Sequence, residues 1–398
     1  MKPLSIMVIA GDPSGDLLAA ELVDELRPLL LERSQDTSSN VQPLYSALAP
    51  RFFGAGGPRM AAAGVELAFD LTQHAIIGFA EALKNLAKFR RLFGQLIRLA
   101  IARQPDVIVG VDYGGFNLRF GKAIKNYVRG HRSEFTPWNP KIVQFVSPQV
   151  WASRAGRAYT LAENYDLLLS IFPFEKDWYA RRVPGLRVEF VGHPMIGRSQ
   201  KSEVRDQKTE EPCVALLPGS RAGEVRRHLP VVTGVFELMR RELPTLRGVM
   251  VLPDEKLIES TKNFSMPPGL EIQVGGLGSA LAKADLAITK SGTITMECAL
   301  NGVPAVVFYK TSWPTYFIGK QIITVKYIAM PNLMADATVY PEFIQNEATS
   351  ENISRAALEL LRNDGRRTEV KAKLTKVISS LGGPGAAARA ANAIANLL

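Results

Sequence analysis

Along this chain, short unbroken apolar runs give way again and again to stretches with helical periodicity. An unbroken run of four to eight apolar residues is what a strand buried on both faces of a parallel sheet requires. In the first half the runs are LSIMVIA (4–10), DVIVGVD (106–112), KIVQFVS (141–147), LLLSIF (167–172) and VEFVGH (188–193). Residues 198–212, RSQKSEVRDQKTEEP, are charged and carry no apolar period, so they read as a linker. The alternation then restarts with CVALLPG (213–219), RGVMVLP (247–253), LAIT (286–289) and PAVVFY (304–309). This pattern predicts an α/β protein of two Rossmann-like domains facing one another across a cleft. The expected division is 1–197 for the first domain, 198–212 for the linker, 213–370 for the second domain and 371–398 for a C-terminal helical segment. The alanine-rich end of that segment, GPGAAARAANAIANLL, suits packing on either domain.

Composition narrows the partners. With 398 residues, 46% of them hydrophobic, the chain can bury two cores, and its net charge of +10 suits an anionic ligand or surface. The basic residues are dispersed and no nucleic-acid module is present, so a nucleic-acid partner is not expected. Two cysteines, Cys213 and Cys298, are too few for a disulfide framework or a zinc site and read as small core residues. There is no signal-peptide pattern and no apolar run near the roughly 18 residues of a spanning helix, which points to the cytoplasm. One stretch points to a membrane surface. Residues 75–103 combine Ile76, Ile77, Phe79, Leu83 and Phe89 with Lys84, Lys88, Arg90 and Arg91 against a single carboxylate, Glu81. A helix packed on a sheet is amphipathic as well, so core packing stands beside the membrane reading.

Candidate chemistry gathers in glycine-containing turns that follow strands and open helices. Gly11-Asp12-Pro13-Ser14-Gly15-Asp16 follows the first strand, where open α/β sheets bind ligands. In the second half, Gly219-Ser220-Arg221 brings backbone N–H groups and a guanidinium to a strand end. Ser291-Gly292-Thr293 opens a helix that displays Glu297 one turn in. Amides for an anion and a carboxylate for ribose hydroxyls suit a nucleoside diphosphate. Neither turn has Walker A or G-x-G-x-x-G spacing.

The blocks AGDPSGD, FGAGGPRMAAAG, IIGFAEAL, VGVDYGGFN, QFVSPQVWASR, FPFEK, VGHP, LLPGSRAGEV, SGTITMEC and MPNLMAD, in that order, resemble the lipid-A-disaccharide synthase family over nearly the whole chain. The resemblance implies a GT-B glycosyltransferase fold and an inverting transfer of 2,3-diacylglucosamine from UDP to the 6-hydroxyl of 2,3-diacylglucosamine 1-phosphate. It implies a peripheral place on the inner face of the cytoplasmic membrane; a homodimer stays open. No cofactor is expected, and with no D-x-D pair and no His/Cys cluster of metal-binding spacing, neither is a metal. On this reading Asp112 is the general base. Gly11, Asp12, Ser14, Gly15, Asp16, Asn117, Trp151, His193 and Asn332 contact substrate, and Gly219, Ser220, Arg221, Ser291, Gly292, Thr293 and Glu297 hold UDP. Structural roles remain open beside these: helix capping for Asp16, a buried turn for Asn332, a satisfied core imidazole for His193. His74, His131 and His228 read as solvated or structural. The family pattern D-x-P-D-F-N is here Asp112-Tyr113-Gly114-Gly115-Phe116-Asn117, so the second carboxylate is missing, and Ser153 stands where a second Trp is usual. Rival readings are another UDP-sugar transferase or an epimerase, and a non-catalytic nucleotide-sugar-binding protein at the membrane surface.

Overall fold

A computed structural model describes residues 3–36, 49–74, 86–131, 133, 137–198 and 211–398. The chain forms two compact units, Met1–Ile196 with Leu381–Leu398, and Gly197–Ser380. The first boundary between them falls after Ile196, and most of the expected linker, 199–210, lies outside the described residues.

Among the described residues the first unit is built on seven strands: β1 (Ser5–Ala10), β2 (Arg51–Gly56), β3 (Glu66–Asp70), β4 (Val107–Val111), β5 (Lys141–Phe145), β6 (Leu167–Ser170) and β7 (Val188–Phe190). They lie in the order β3-β2-β1-β4-β5-β6-β7 and every pair is parallel. The winding reverses between β1 and β4. Ile6, Met7, Ile9, Val107 and Val109 are fully buried, as unbroken apolar strands covered on both faces must be. Strand β2, RFFGAG, carries two glycines and no apolar run long enough to announce it. The reason lies in packing: a Cβ built on Gly54 would stand 1.9 Å from the Val8 carbonyl oxygen of β1.

The second unit repeats the plan with β8 (Cys213–Leu217), β9 (Arg247–Leu252), β10 (Leu270–Val274), β11 (Leu286–Lys290), β12 (Ala305–Tyr309) and β13 (Glu342–Ile344). Their order is β10-β9-β8-β11-β12-β13, again all parallel, and the winding reverses between β8 and β11. Cys298 is buried in this core with its thiol pKa pushed up by desolvation, while Cys213 is half-buried at the start of β8.

The expected break at 370/371 falls elsewhere. Helix Asp364–Ser380 buries Val370 and Leu374 in the second unit's core, and the chain re-enters the first unit only at Leu381. There the alanine-rich helix Ala386–Ala395 buries Ala390, Ala391 and Ile394, and Arg33 of helix Pro13–Asp36 donates to the Ala395 carbonyl. The His193 amide donates to Leu381 O at 2.9 Å, and Arg389 Nε donates to Val191 O at 2.7 Å. Small alanine side chains allow the close helix approach that makes this return segment part of the first core.

Candidate active site

Open parallel sheets bind ligands where the winding reverses, beyond the carboxyl ends of the two central strands. In the first unit this position is taken by Gly11-Asp12 after β1 and Asp112-Tyr113 after β4. Asp12 caps helix Pro13–Asp36, its Oδ1 accepting the Gly15 N–H at 2.6 Å. The Asp112 carboxyl is mostly buried, and its pKa is pushed up to about 6, first by desolvation and then by the neighbouring charge of Asp12.

Asp112 is held by its backbone. Its N–H donates to Phe145 O at 2.8 Å, and its carbonyl accepts from Asn117 Nδ2 at 2.9 Å and from Gln144 Nε2 at 2.8 Å. Asp112 and Tyr113 both adopt left-handed φ angles, 48° and 44°, where non-glycine residues are strained. The two amide clamps, each 2% or less exposed, sustain that conformation. The Tyr113 ring occupies the space beside Gly11: a Cβ built there would come within 2.1 Å of it.

Several expected ligand residues are occupied with the scaffold. Asp16 is buried, and its carboxylate accepts from Gly57, Arg59 and Met60 N–H at 2.7, 3.0 and 3.1 Å, capping the helix Pro58–Ala62; it is a structural cap and not a substrate contact. Trp151 lines neither of the two cavities described below. It is buried with its indole N–H donating to Glu175 Oε1 at 2.9 Å, and burial pushes the Glu175 pKa to about 7. Asn117 acts through the Asp112 backbone. His193 is buried against Phe172, and its Nδ1 accepts the Met195 N–H at 3.3 Å. Ser14 is exposed in the first turn of its helix, while Gly15 is buried beneath it.

Beside Tyr113 lies a cavity of about 620 Å³ lined by Phe89, Arg90, Phe93, Tyr113, Gly115, Phe116, Arg119, Arg154 and Arg157. Three helices supply it: Leu86–Arg103, Gly114–His131 and Arg157–Asn164. Of the basic amphipathic stretch singled out in the sequence, 75–85 lies outside the described residues, and the remainder is the helix that gives this cavity Phe89, Arg90 and Phe93.

In the second unit the corresponding position holds a cavity of about 330 Å³ lined by Leu217, Gly219, Ser220, Val251, Pro253, Gly275, Gly276, Leu277, Lys290, Thr293, Ile294 and Glu297. It unites the turn after β8 with the turn after β11. Gly219 has φ 145°, and a Cβ there would come within 2.8 Å of the Glu224 carboxylate. Glu224 ties the site together: Lys290 Nζ lies at 3.4 Å, Arg221 Nη1 at 3.4 Å, and the Ser220 N–H donates to it at 3.3 Å. Glu297 faces the cavity half-buried, and burial raises its pKa.

The expected residues contribute unequally. Arg221 is mostly exposed and outside the lining, whereas Lys290, unremarked in the sequence as the last residue of β11, supplies the cavity's cation. The Ser291 hydroxyl donates to Ile328 O at 2.7 Å and its N–H to Phe308 O at 3.0 Å, so Ser291 anchors the turn instead of offering a ligand contact. Gly292 and Thr293 stand at the turn itself, with φ 127° at Gly292. Asn332 is fully buried with all four side-chain valences used: Oδ1 accepts from Val339 and Tyr340 N–H, and Nδ2 donates to Tyr340 O and Glu342. It is the buried turn-forming residue, not a sugar contact. His228 is likewise structural, buried between the Pro218 and Lys310 carbonyls at 2.6 and 2.9 Å. His131 is exposed, its ring against Tyr127.

Two doubly wound parallel sheets, each with a ligand position at its reversal, define the GT-B class of nucleotide-sugar enzymes, and solved structures agree on the fold. S. aureus MnaA in its UDP co-structure superposes with a TM-score of 0.60 at 15% identity, covering 100% of this chain and 98% of that one. Acinetobacter baumannii MurG gives 0.53 at 14% identity, covering 100% of both chains. The sequence comparison is more specific. The lipid-A-disaccharide synthetase family model matches residues 6–396. The lipid-A-disaccharide synthases of Trichlorobacter lovleyi and Myxococcus xanthus are 33% and 34% identical over 408 and 406 aligned residues, each alignment covering 100% of this chain and 98% of the relative. The chain belongs to the lipid-A-disaccharide synthase family.

Proposed function

We propose that the protein transfers 2,3-diacylglucosamine from UDP to the 6-hydroxyl of 2,3-diacylglucosamine 1-phosphate, inverting the anomeric carbon and releasing UDP. The observation that carries the mechanism is Asp112 at the reversal of the first sheet: two buried amides clamp its backbone carbonyl, and its carboxyl has a pKa pushed up to about 6. As the hydroxyl oxygen forms its bond to the anomeric carbon, the bond from that carbon to the UDP oxygen breaks and UDP leaves with the electron pair. The hydroxyl proton passes to the Asp112 carboxylate. A general base needs a pKa not far below the working pH, and desolvation beside Asp12 supplies that shift. In the second unit Lys290, the Gly219 amide and the amides of the Gly292-Thr293 turn offset the diphosphate charge, and Glu297 accepts from ribose hydroxyls.

The same reading places the protein peripherally on the inner face of the cytoplasmic membrane, where doubly acylated substrates reside. Among the described residues, no helix is long and apolar enough to cross a membrane. Support for surface contact comes from helix Trp313–Ile322, which has no buried residue: Trp313, Phe317 and Ile318 are 49%, 60% and 59% exposed, with Lys320 and Lys326 alongside. Aromatic and aliphatic groups flanked by lysines suit an anionic bilayer interface. The reaction is tested by incubating purified protein with the donor and the 1-phosphate acceptor and following disaccharide and UDP by mass spectrometry. Absence of disaccharide from a folded, UDP-binding protein would overturn the proposal.

A further inference from the structure

The cavity beside Tyr113 combines two chemistries on one wall. Phe89 and Arg90 share a helical turn with Phe93, and Phe116 and Arg119 stand three residues apart on the next helix, so each helix gives the cavity a ring and a guanidinium. The rings form one surface: Tyr113 stacks on Phe116 at 5.5 Å between centroids, and Phe93 meets Phe116 edge-on at 5.3 Å. Arg154 and Arg157 come from the turn that opens the third helix. Arg154 sits at a left-handed φ of 64°, and its carbonyl accepts the Arg157 N–H at 2.9 Å. Among the described residues no carboxylate pairs with Arg90, Arg119, Arg154 or Arg157. Burial lowers the Arg157 pKa, and the charges of Arg154 and then Arg119 lower it further. Like charges gathered without a counter-ion repel one another, and a bound dianion reverses the sign of that interaction.

We propose that this cavity is the acceptor subsite, in which Arg119, Arg154 and Arg157 receive the glycosyl phosphate and the Phe89-Phe93-Phe116 surface takes the first methylenes of an acyl chain. The assignment rests on the transfer reaction proposed above. Its place fits: Tyr113, which lines the cavity, follows Asp112 directly in the chain. The volume of about 620 Å³ suits a phosphosugar with the start of its chains. Gly115 contributes in an unexpected way. It lines the cavity without a side chain, and a Cβ built on it meets nothing within 4 Å, so the wall is open at that position.

The test is direct binding, measured by calorimetry on the full-length protein with a short-chain 2,3-diacylglucosamine 1-phosphate and with the same sugar lacking phosphate. Wild type is expected to prefer the phosphorylated sugar at least about 10-fold, the size of a charge-assisted contact. The Arg119→Gln, Arg154→Gln, Arg157→Gln triple variant is expected to bind both sugars alike, with the affinity wild type has for the phosphate-free sugar, while its circular dichroism spectrum and Tm stay those of wild type, which shows that it is folded. A variant carrying only Phe89→Ser should keep the phosphate preference but lose affinity for both sugars. Equal binding of the two sugars by wild type, or a phosphate preference that survives in the triple variant, would overturn the assignment. The transfer assay fails separately: a protein that shows the phosphate preference yet forms no disaccharide keeps this subsite and loses the proposed reaction.

Discussion

Asp12 and Asp112 close adjacent parallel strands, β1 and β4, and the charge of the first raises the pKa of the second. Asp112 is pushed up to about 6, so transfer should fall as pH drops through that value and the base becomes protonated. Asp12→Asn keeps the acceptor that caps helix Pro13–Asp36 but removes the neighbouring charge. Ionisation of Asp112 then becomes easier, and the acid limb of the kcat profile should move to lower pH. Glu175, with its pKa near 7, titrates in the same range, so Glu175→Gln serves as the control and should leave the limb in place. A limb that stays fixed in Asp12→Asn, or moves in Glu175→Gln, would reassign it.

Asp112→Asn separates catalysis from folding. Because its folded pKa is raised, Asp112 favours the folded state only where it is protonated. That contribution is full below the ordinary carboxylate range and is lost as pH rises through about 6. Above pH 7 the buried carboxylate opposes folding by up to about 3 kcal/mol, the equivalent of its pKa shift. The Asn variant should therefore have a higher Tm than wild type at pH 8 and a similar one at pH 4, while transfer slows roughly 10²- to 10⁴-fold. Transfer within about threefold of wild type would remove Asp112 from the role of base.

Both sheets were legible in the sequence at their centres, because β1, β4, β8 and β11 are unbroken apolar runs ending in turns. β2, β3, β10 and β13 were not. β3 and β13 are short, and β2 is glycine-rich because it packs closely on β1. The position of Asp112 could be read from its place at a strand end, but the clamp on it could not, since Gln144 reaches it from a strand 32 residues away. Asp16, Trp151 and Asn332 show the opposite failure. Polar or aromatic residues in matching blocks looked like ligand contacts, and each is spent on buried hydrogen bonds that a sequence cannot display.

Asn332 offers a test of that distinction. Its removal in Asn332→Ala leaves the Val339 and Tyr340 N–H groups and the Tyr340 carbonyl without partners inside the second unit. Each unsatisfied buried group costs about 1–3 kcal/mol, so thermal unfolding should begin well below wild type. Turnover per folded molecule should stay near normal. A stable variant with a raised KM for donor would return Asn332 to the substrate site.

Membrane contact is checked on the exposed helix. Trp313→Ser, Phe317→Ser and Ile318→Ser together remove apolar area that the fold does not bury, so stability should hardly change. Sedimentation with vesicles containing anionic lipid should fall several-fold, since both the apolar insertion and its placement of Lys320 near the headgroups are lost. Unchanged sedimentation would leave surface contact to other parts of the chain.

The last prediction concerns the cation of the nucleotide cavity. Lys290 is paired with Glu224 at 3.4 Å, and the same carboxylate accepts the Ser220 N–H. Binding of a diphosphate gives the ammonium a second anionic partner, and its loss in Lys290→Gln also leaves Glu224 facing the phosphates uncompensated. UDP affinity, measured by calorimetry, should therefore weaken by more than about 10-fold, the amount expected for one charge-assisted hydrogen bond. Adding Glu224→Gln to that variant removes the repulsion and should restore part of the loss, a non-additive result that only interacting groups give. Because lysine, arginine and turn amides carry the charge in this reading, EDTA should leave the UDP-induced rise in Tm unchanged. Full affinity in Lys290→Gln would transfer the role to Arg221, and loss of the Tm rise on chelation would require a metal ion between UDP and the protein.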